Sequence, residues 1–144
     1  MATLTSTLTE TITLNGQPIN SDNIFTIDGI NYIDKRLVAI PTASEVTVLN
    51  FGSAVAAGTV ISANVKYIRI TNTDTTNFVR VRVKKTSGET FDVKIEPKKT
   101  FMLGNNKLSA SSNAASFSTF VDADSILAQA NTAAVTIELF VASI

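Results

Sequence analysis

Apolar and polar residues alternate one by one along much of this 144-residue chain, most regularly in its middle. Residues 79–84 read V-R-V-R-V-K, and residues 91–96 read F-D-V-K-I-E. Successive side chains of an extended chain point to opposite faces, so a period of two places the apolar residues of each run on one face. Both runs are therefore predicted to be strands of a sheet that buries one face.

The segment between these two runs predicts the hairpin that joins them. A three-residue loop, Thr86-Ser87-Gly88, places Val83 opposite Phe91 and brings the apolar residues of both strands to one face. A two-residue loop would instead pair Val83 with Asp92, so we reject it. Gly88 then occupies the left-handed position of a type I turn followed by a bulge, where the lack of a Cβ removes the steric cost.

Similar patterns predict strands elsewhere in the chain. They cover residues 3–14, 37–40, 45–51, 59–62, 65–72, 100–103 and 133–144. Residues 24–33 predict a hairpin that turns at Asp28-Gly29, and residues 126–137 predict a closing hairpin that turns at Asn131-Thr132. A short helix at residues 125–130 is the alternative to the second hairpin, because alanine, leucine and glutamine favour helices.

Many short strands separated by glycine-marked turns, without a long helical pattern, predict an all-β protein. We expect an antiparallel β-sandwich of jelly-roll or immunoglobulin-like topology, with roughly eight to ten short strands. Residues 1–144 are expected to form one domain. Residues 1–14 are expected to be either a strand paired within the chain or an extended arm that pairs with a neighbouring subunit.

Cysteine and histidine are both absent, and this narrows the possible chemistry. Without cysteine there is no disulfide, thiolate nucleophile or cysteine zinc cluster, and without histidine there is no serine-histidine-aspartate triad. The glycines are isolated and form no phosphate-binding motif. Asp122-Ala-Asp124 places two carboxylates on one strand face, but without a third ligand it is only a weak sign of a metal or acid-base site.

The twelve basic and twelve acidic residues balance overall but are unevenly placed. Residues 66–107 carry ten basic and four acidic residues, and the rest of the chain carries two basic and eight acidic residues. The favoured explanation is that adjacent strands neutralise one another; the alternative is a basic region that meets an acidic partner, such as another copy of the chain. The overall neutrality disfavours binding to nucleic acid.

Targeting signals and membrane spans are not expected. The longest apolar runs are too short to cross a bilayer, and the N-terminal residues lack the basic start and apolar segment of a signal peptide. By themselves the residues therefore indicate an all-β protein without a visible active site or cofactor.

Several strand-and-turn motifs lie in the second half of the chain. They are residues 67–74 (Y-I-R-I-T-N-T-D), 77–79 (N-F-V), 91–95 (F-D-V-K-I), 130–135 (A-N-T-A-A-V) and 138–142 (E-L-F-V-A). In these motifs the chain resembles small accessory virion proteins of tailed bacteriophages. Within that group the nearest role is that of a capsid decoration, or cement, protein, which sits on the outer shell and helps it to resist internal pressure.

The resemblance implies a non-enzymatic structural protein of the virion, made in the cytoplasm of the bacterial host. Its expected partners are the major capsid protein, copies of itself as a homo-oligomer, or both, and no catalytic residue or cofactor is implied. The candidate subunit contacts are Leu4, Leu8, Ile12, Arg80, Arg82, Lys84, Lys98 and Lys99. The alternatives are a tail or adaptor component, or a carbohydrate-binding adhesin module, although tryptophan is absent and only two tyrosines are present.

Overall fold

The computed structural model describes residues 1–85, 88–104 and 123–144, which divide into two compact units, Met1–Asn31 and Tyr32–Ile144. These residues form eleven strands and one 3-10 turn, Ser62–Asn64. The all-β prediction is confirmed, with one strand more than the upper end of the expected range. The single domain expected from chain length stays a prediction, because the division into two compact units does not show whether each unit folds independently.

The first unit is a long two-stranded antiparallel ribbon. β1 (Ala2–Leu14) pairs with β2 (Gln17–Ile30) along nearly their whole length. Asn15 and Gly16 join the strands with φ values of 53° and 78°, and two consecutive positive φ values are typical of a type I′ hairpin turn. β1 thus finds its partner within the chain, in a sheet of its own.

The hairpin predicted at residues 24–33 is wrong. β2 continues through Asp28 and Gly29, and two steps along β1, from Ala2 to Leu4, match three steps along β2, from Ile30 to Ile27. Gly29 has a φ of 79°, so the Asp-Gly pair forms a β-bulge. A bulge and a tight turn both use a positive φ, and only the pairing with β1 distinguishes them.

The second unit contains two sheets. Its strands are β3 (Tyr32–Ile40), β4 (Val46–Gly52), β5 (Thr59–Ile61), β6 (Val65–Asn72), β7 (Val79–Lys84), β8 (Thr90–Ile95), β9 (Thr100–Leu103), β10 (Ser125–Ala130) and β11 (Val135–Ser143). One sheet has the order β5-β4-β10-β7-β8, and the other has the order β3-β11-β6-β9. All pairs are antiparallel except β4 and β5. The sheets pack together as the expected sandwich.

The central hairpin is confirmed in its register. Val83 lies opposite Phe91, and the pairing continues to the other end of both strands. Gly88 has a φ of 90°, as the predicted left-handed position requires. Thr86 and Ser87 of the predicted loop lie outside the described residues.

The core lies between the two sheets of the second unit. It is formed by inward-facing aliphatic residues from both sheets, whose fully buried members include Ile40, Leu49, Val60, Val65, Ile68, Ile70, Val79, Val81, Ile126, Ile137 and Leu139. Fully burying one aliphatic side chain contributes about 1.5–3 kcal/mol. Hydrophobic packing across the sandwich is therefore the main stabilising interaction of this unit.

The closing hairpin predicted at residues 126–137 is wrong, and so is its helical alternative. β10 pairs with β4 and β7, whereas β11 pairs with β3 and β6 in the other sheet. The chain thus crosses the sandwich after Ala130, and the inward side chains of the two strands face the core from opposite sheets. Two strands show the same alternating pattern whether they pair in a hairpin or lie in opposite sheets, so the pattern cannot distinguish the two arrangements. The helix alternative fails because tertiary packing overrides the helix propensity of residues 125–130.

Candidate functional site

The eight candidate contact residues fall in three places. Leu4, Leu8 and Ile12 lie on β1, Arg80, Arg82 and Lys84 lie on β7, and Lys98 and Lys99 lie between β8 and β9. The ribbon belongs to the first unit, and the other two places belong to the second.

One face of the ribbon is apolar. Side chains at alternate positions of β1 share a face with their cross-strand partners on β2. The apolar ribbon face therefore consists of Leu4, Leu8, Ile12, Leu14, Ile19, Phe25 and Ile27, whereas the opposite face carries the threonines at positions 5, 7, 9, 11 and 13. Leu4, Leu8 and Ile12 are thus brought together on one surface.

The apolar ribbon face becomes more exposed toward the turn. Leu8, Ile12, Leu14 and Ile19 keep between 45% and 56% of their surface exposed, whereas Leu4 is partly buried. A two-stranded hairpin is at best marginally stable in water, and contiguous exposed apolar side chains mark contact surfaces. Sequence reasoning missed Ile19, although equal counting on each side of the Asn15-Gly16 turn places it opposite Ile12.

The arginines of β7 are paired within the chain. Arg82 binds Asp92 through two hydrogen bonds, Nε to Oδ1 at 2.6 Å and Nη2 to Oδ2 at 2.7 Å, and its Nη1 lies 2.8 Å from Glu45 Oε1. Arg80 donates to the same oxygen of Glu45 and, at 2.7 Å, to Gln129 Oε1. Two guanidinium groups and two carboxylates therefore form one neutral network.

This network changes the proton affinity of its members. The hydrogen bonds from Arg82 lower the pKa of Asp92, and the carboxylate in turn raises the pKa of Arg82. Because both arginines are neutralised, they offer no excess charge to an acidic partner. The favoured explanation of the uneven charge, internal neutralisation, fits this strand, and Lys84 remains exposed beside the network.

Lys98 and Lys99 lie in the connection that carries the chain from one sheet to the other. Lys98 has a φ of 61°, a left-handed conformation that non-glycine residues seldom adopt. Its Nζ donates to the carbonyl of Thr73, and the N–H of Lys99 donates to the carbonyl of Glu96 at 3.0 Å. Lys98 is therefore held against the neighbouring turn, whereas the Lys99 side chain is exposed.

The turn after β6 is held by a network that sequence reasoning missed. The fully buried Asn72 donates from Nδ2 to the carbonyls of Asn77 at 2.8 Å and Ile95 at 3.1 Å, and its Oδ1 accepts from the N–H of Asp74. Asp74 accepts backbone hydrogen bonds from Asn77 and Thr76, which lower its pKa. The polar motif at residues 72–77 thus has a structural role in crossing the sandwich.

Arg36 connects the two sheets at the edge of the sandwich. Its Nη2 donates to the carbonyl of Val48 on β4 at 2.5 Å, and its Nε lies 3.5 Å from Asp34 Oδ2. A Cβ on Gly58, which has a φ of 73°, would lie 3.3 Å from Nη1 of Arg36. Inward charges on an edge strand also oppose pairing with other sheets, so this contact protects the edge formed by β3.

The outer face of the four-stranded sheet carries apolar residues beside basic ones. Leu37 and Ile33 on β3 are 68% and 53% exposed, and Met102 on β9 is also exposed. In the same row of the sheet lie Lys35, Phe140, Arg69 and Met102, one on each strand. We call Ile33, Lys35, Leu37, Arg69, Met102, Glu138 and Phe140 the outer sheet patch.

The charges of the outer sheet patch do not cancel. Arg69 Nη2 lies 2.5 Å from Glu138 Oε1, and Lys35 Nζ lies 3.8 Å from Glu138 Oε2. The pKa of Glu138 is lowered, mainly by its hydrogen bond from Arg69. The guanidinium of Arg69 also lies 5.8 Å from the centre of the Phe140 ring. Two cations share one carboxylate, so the patch keeps one positive charge.

The carboxylate pair Asp122 and Asp124 is the remaining candidate for a metal or acid-base site. Asp124 immediately precedes β10, and Asp122 lies outside the described residues. Within residues 1–85, 88–104 and 123–144, no group of three acidic, cysteine or histidine side chains is placed to hold a metal ion. The same residues contain no helix of the length and hydropathy needed to span a bilayer.

Comparison with protein-family models, curated proteins and solved structures found no match to this chain.

Proposed function

We propose that this protein is a non-enzymatic structural component of a tailed-bacteriophage virion, where it acts as a capsid decoration, or cement, protein. The observation that carries the proposal is the ribbon of β1 and β2, which presents apolar side chains to solvent and, in the part of the chain that the structure describes, pairs with no other strand. Such a surface binds other protein surfaces by packing and by strand addition. The particle to which this surface would bind is inferred from the resemblance of the strand-and-turn motifs to those of phage virion proteins.

The sandwich of the second unit suits a scaffold that holds a binding element. Its core is aliphatic, the turn after β6 is held by Asn72, and Arg36 on β3 donates a hydrogen bond to β4 in the other sheet. The chain contains no cysteine, so this stability does not depend on an oxidising compartment. A protein made in a bacterial cytoplasm and assembled onto a shell requires this independence.

Several weak contacts per molecule are sufficient to hold a decoration protein on a capsid. Each contact to a neighbour is strengthened when other contacts already hold the molecule in place, because the later contacts form within one assembly. A decoration protein therefore needs several modest surfaces, and the apolar ribbon face and the exposed Lys84 and Lys99 are of this kind.

A density map of virions purified from the phage that encodes this chain tests the proposal directly. We expect density for the sandwich on the outside of the capsid, at symmetry axes or between capsomers, with the ribbon against a neighbouring subunit. Particles without the protein should lose their DNA at a lower temperature than complete particles. Density confined to the tail or neck would favour the tail or adaptor alternative, and particles that lack the chain altogether would refute a virion role.

Deletion of residues 1–12 tests the contribution of the ribbon. It removes most of β1 and should lower occupancy on capsids in a rebinding assay, while circular dichroism still reports the strands of the sandwich. Unchanged occupancy would rule out the ribbon as the attachment surface and leave the basic residues of the second unit to be tested.

Tyr67, one of the two tyrosines, does not support the carbohydrate-binding alternative. Tyr67 is buried, where it stacks edge-on with Phe140 at 5.9 Å between ring centres. Sugar-binding surfaces of this type need exposed aromatic faces, and a buried ring does not supply one. Binding on a glycan array would nevertheless establish the adhesin role.

A further inference from the structure

The ribbon has two long outer edges, and they differ in how well they can accept another strand. In the part of the chain that the structure describes, β1 and β2 pair only with each other, so each keeps one edge without a strand partner. β2 carries Pro18 near the turn and a bulge at Gly29, two features that block pairing at the edges of natural sheets. Residues 4–14 of β1 contain neither proline nor glycine and follow an unbroken register. The edge of β1 is therefore the one open to a further strand.

The backbone groups at the outer edge of β1 belong to its threonines. In a two-residue turn the N–H of the residue after the turn donates to the carbonyl of the residue before it, so Leu14 and Gln17 form a hydrogen-bonded pair. Hydrogen-bonded and non-hydrogen-bonded pairs alternate along an antiparallel ladder. The next pair, Thr13 and Pro18, is thus non-hydrogen-bonded, which suits a proline because it has no N–H to donate. The N–H and C=O groups of the threonines at positions 5, 7, 9, 11 and 13 therefore point away from β2.

The sequence of β1 has the same order of residue classes in both directions from Leu8. Counted outward from Leu8, the successive pairs are Thr7 and Thr9, Ser6 and Glu10, Thr5 and Thr11, Leu4 and Ile12, Thr3 and Thr13, and Ala2 and Leu14. Every pair joins a polar residue to a polar one or an apolar residue to an apolar one. Two β1 strands that pair antiparallel about Leu8 therefore match along all 13 residues.

We infer that β1 of one copy of this chain pairs through its outer edge with β1 of a second copy, antiparallel and centred on Leu8, to form a continuous four-stranded sheet. The threonine pairs then exchange about ten backbone hydrogen bonds, as many as a typical protein–protein interface contains. Main-chain hydrogen bonds are the source of affinity in strand addition. An isolated two-stranded hairpin is marginally stable in water, whereas a sheet of three or more strands with an apolar face is stable. The pairing therefore stabilises the ribbon as it joins the two copies.

Glu10, the one charged residue of β1, selects this register. With Leu8 at the centre, Glu10 lies opposite Ser6 of the second copy, and the two Glu10 residues are about 13 Å apart along the strands. A shift of the centre by one residue would place Glu10 opposite Leu4 or Leu8. A centre at Glu10 would place the two carboxylates directly opposite each other, which is destabilising.

The pairing uses only the first unit of each copy. Because the two β1 strands run in opposite directions, the two Ile30 residues, which lie opposite Ala2 in each ribbon, are at opposite ends of the four-stranded sheet, about 40 Å apart. No contact with the second unit is needed. The apolar ribbon face stays open and becomes twice as wide, so attachment to a capsid and self-pairing use different surfaces. The self-pairing does not depend on the proposed virion role.

Sedimentation velocity of the purified full-length chain over a concentration series tests the pairing. We expect a 15.3 kDa monomer in equilibrium with a dimer, with a dissociation constant in the micromolar range. Thr11→Pro removes an N–H from the outer edge of β1 and should raise that constant about tenfold or more. Asn20→Pro is the matched control, because Asn20 lies opposite Thr11 and its N–H points to the outer edge of β2. It should leave the constant within about twofold of the parent value, and circular dichroism establishes that both variants are folded.

A single introduced cysteine locates the centre of the pairing. The chain contains no cysteine, so Leu8→Cys adds one thiol to each copy. In the inferred register the two positions form a non-hydrogen-bonded pair with Cα atoms about 4.5 Å apart, a separation that a disulfide can bridge. Mild oxidation should then give a covalent dimer on non-reducing gel electrophoresis. Ile12→Cys is the control on the same strand and face, because its two copies would lie about 26 Å apart and should not crosslink.

Three outcomes would overturn the inference. They are a monomer at every concentration up to about 1 mM, equal weakening by Thr11→Pro and Asn20→Pro, and crosslinking of Ile12→Cys as fast as that of Leu8→Cys. A chain that is monomeric in solution and on the capsid contradicts the self-pairing and supports the virion role. A dimer with no place on a particle would do the reverse.

Discussion

The ribbon and the sandwich are built from the same alternating pattern, yet they treat their apolar residues differently. On β7, Val79, Val81 and Val83 are buried, whereas Leu8 and Ile12 on β1 are about half exposed. The difference is a second sheet. In the sandwich, the second sheet covers the apolar face of the first. In the ribbon, alternation places the apolar side chains on one face of a two-stranded sheet, where about half of their surface stays exposed.

The two regions also differ in their hydrogen-bonded edges. β7 lies between β10 and β8, and β11 lies between β3 and β6, so both edges of these strands are paired. In the part of the chain that the structure describes, β1 and β2 pair only with each other. Free edges and exposed apolar residues make a strand pair adhesive, whereas burial on both sides makes it stable.

The largest effect should come from a cavity in the sandwich. Leu139→Ala removes a fully buried side chain from the middle of β11 and should lower the free energy of unfolding by about 2–5 kcal/mol. Leu14→Ala makes the same truncation on the exposed ribbon and should lower it by less than about 1 kcal/mol. Urea unfolding followed by far-UV circular dichroism measures both. Equal losses would show that the ribbon is as tightly packed as the sandwich.

A smaller effect is expected when a buried hydrogen-bond network is opened. Asn72→Ala leaves the carbonyls of Asn77 and Ile95 without their donor and should cost about 1–3 kcal/mol. The ribbon offers an exposed counterpart, the 2.7 Å hydrogen bond from Thr3 Oγ1 to Asp28 Oδ1. Thr3→Ala should change the free energy of unfolding by less than about 0.5 kcal/mol, since water replaces the lost partner.

If both variants had the same small effect in the urea titration, the buried position of Asn72 would not matter to stability. A gain in stability in Asn72→Ala would indicate that the turn rearranges and satisfies both carbonyls in another way.

The smallest effect is expected in the pH dependence of the free energy of unfolding. The carboxyl pKa values of Asp74, Asp92 and Glu138 are all lowered in the folded protein. Their contribution to stability is present above the ordinary values of 3.8 for aspartate and 4.5 for glutamate, and it is lost as the pH falls through the folded values. The urea midpoint should therefore be flat near neutrality and fall below about pH 4.

Asp92→Asn provides the control for the acid titration. It removes one of these three groups, so the urea midpoint of the variant should change less between pH 5 and pH 2 than that of the parent protein. A midpoint that rises as the pH falls would contradict the lowered pKa values.

The site illustrates where sequence reasoning succeeds and fails. It placed Leu8 and Ile12 in one alternating strand, and the structure has both on the same face, because alternation within a strand is local. Their role as subunit contacts stays a prediction. Sequence reasoning did not anticipate that Arg80 and Arg82 are neutralised by Glu45, which is distant in sequence. It also missed Ile33 and Leu37 as surface residues, since it placed Ile33 in a hairpin that does not form.

What the sequence determined by itself is local: the all-β character, the positions of β6, β7, β8 and β9, the left-handed conformation of Gly88, and the register of the central hairpin. These follow from side-chain alternation and backbone sterics within a few residues. The tertiary structure decided which strands share a sheet, as β10 and β11 demonstrate by separating. It also decided which apolar faces are covered. Alternation within a strand defines which face is apolar, but the strands that cover this face are distant in the sequence.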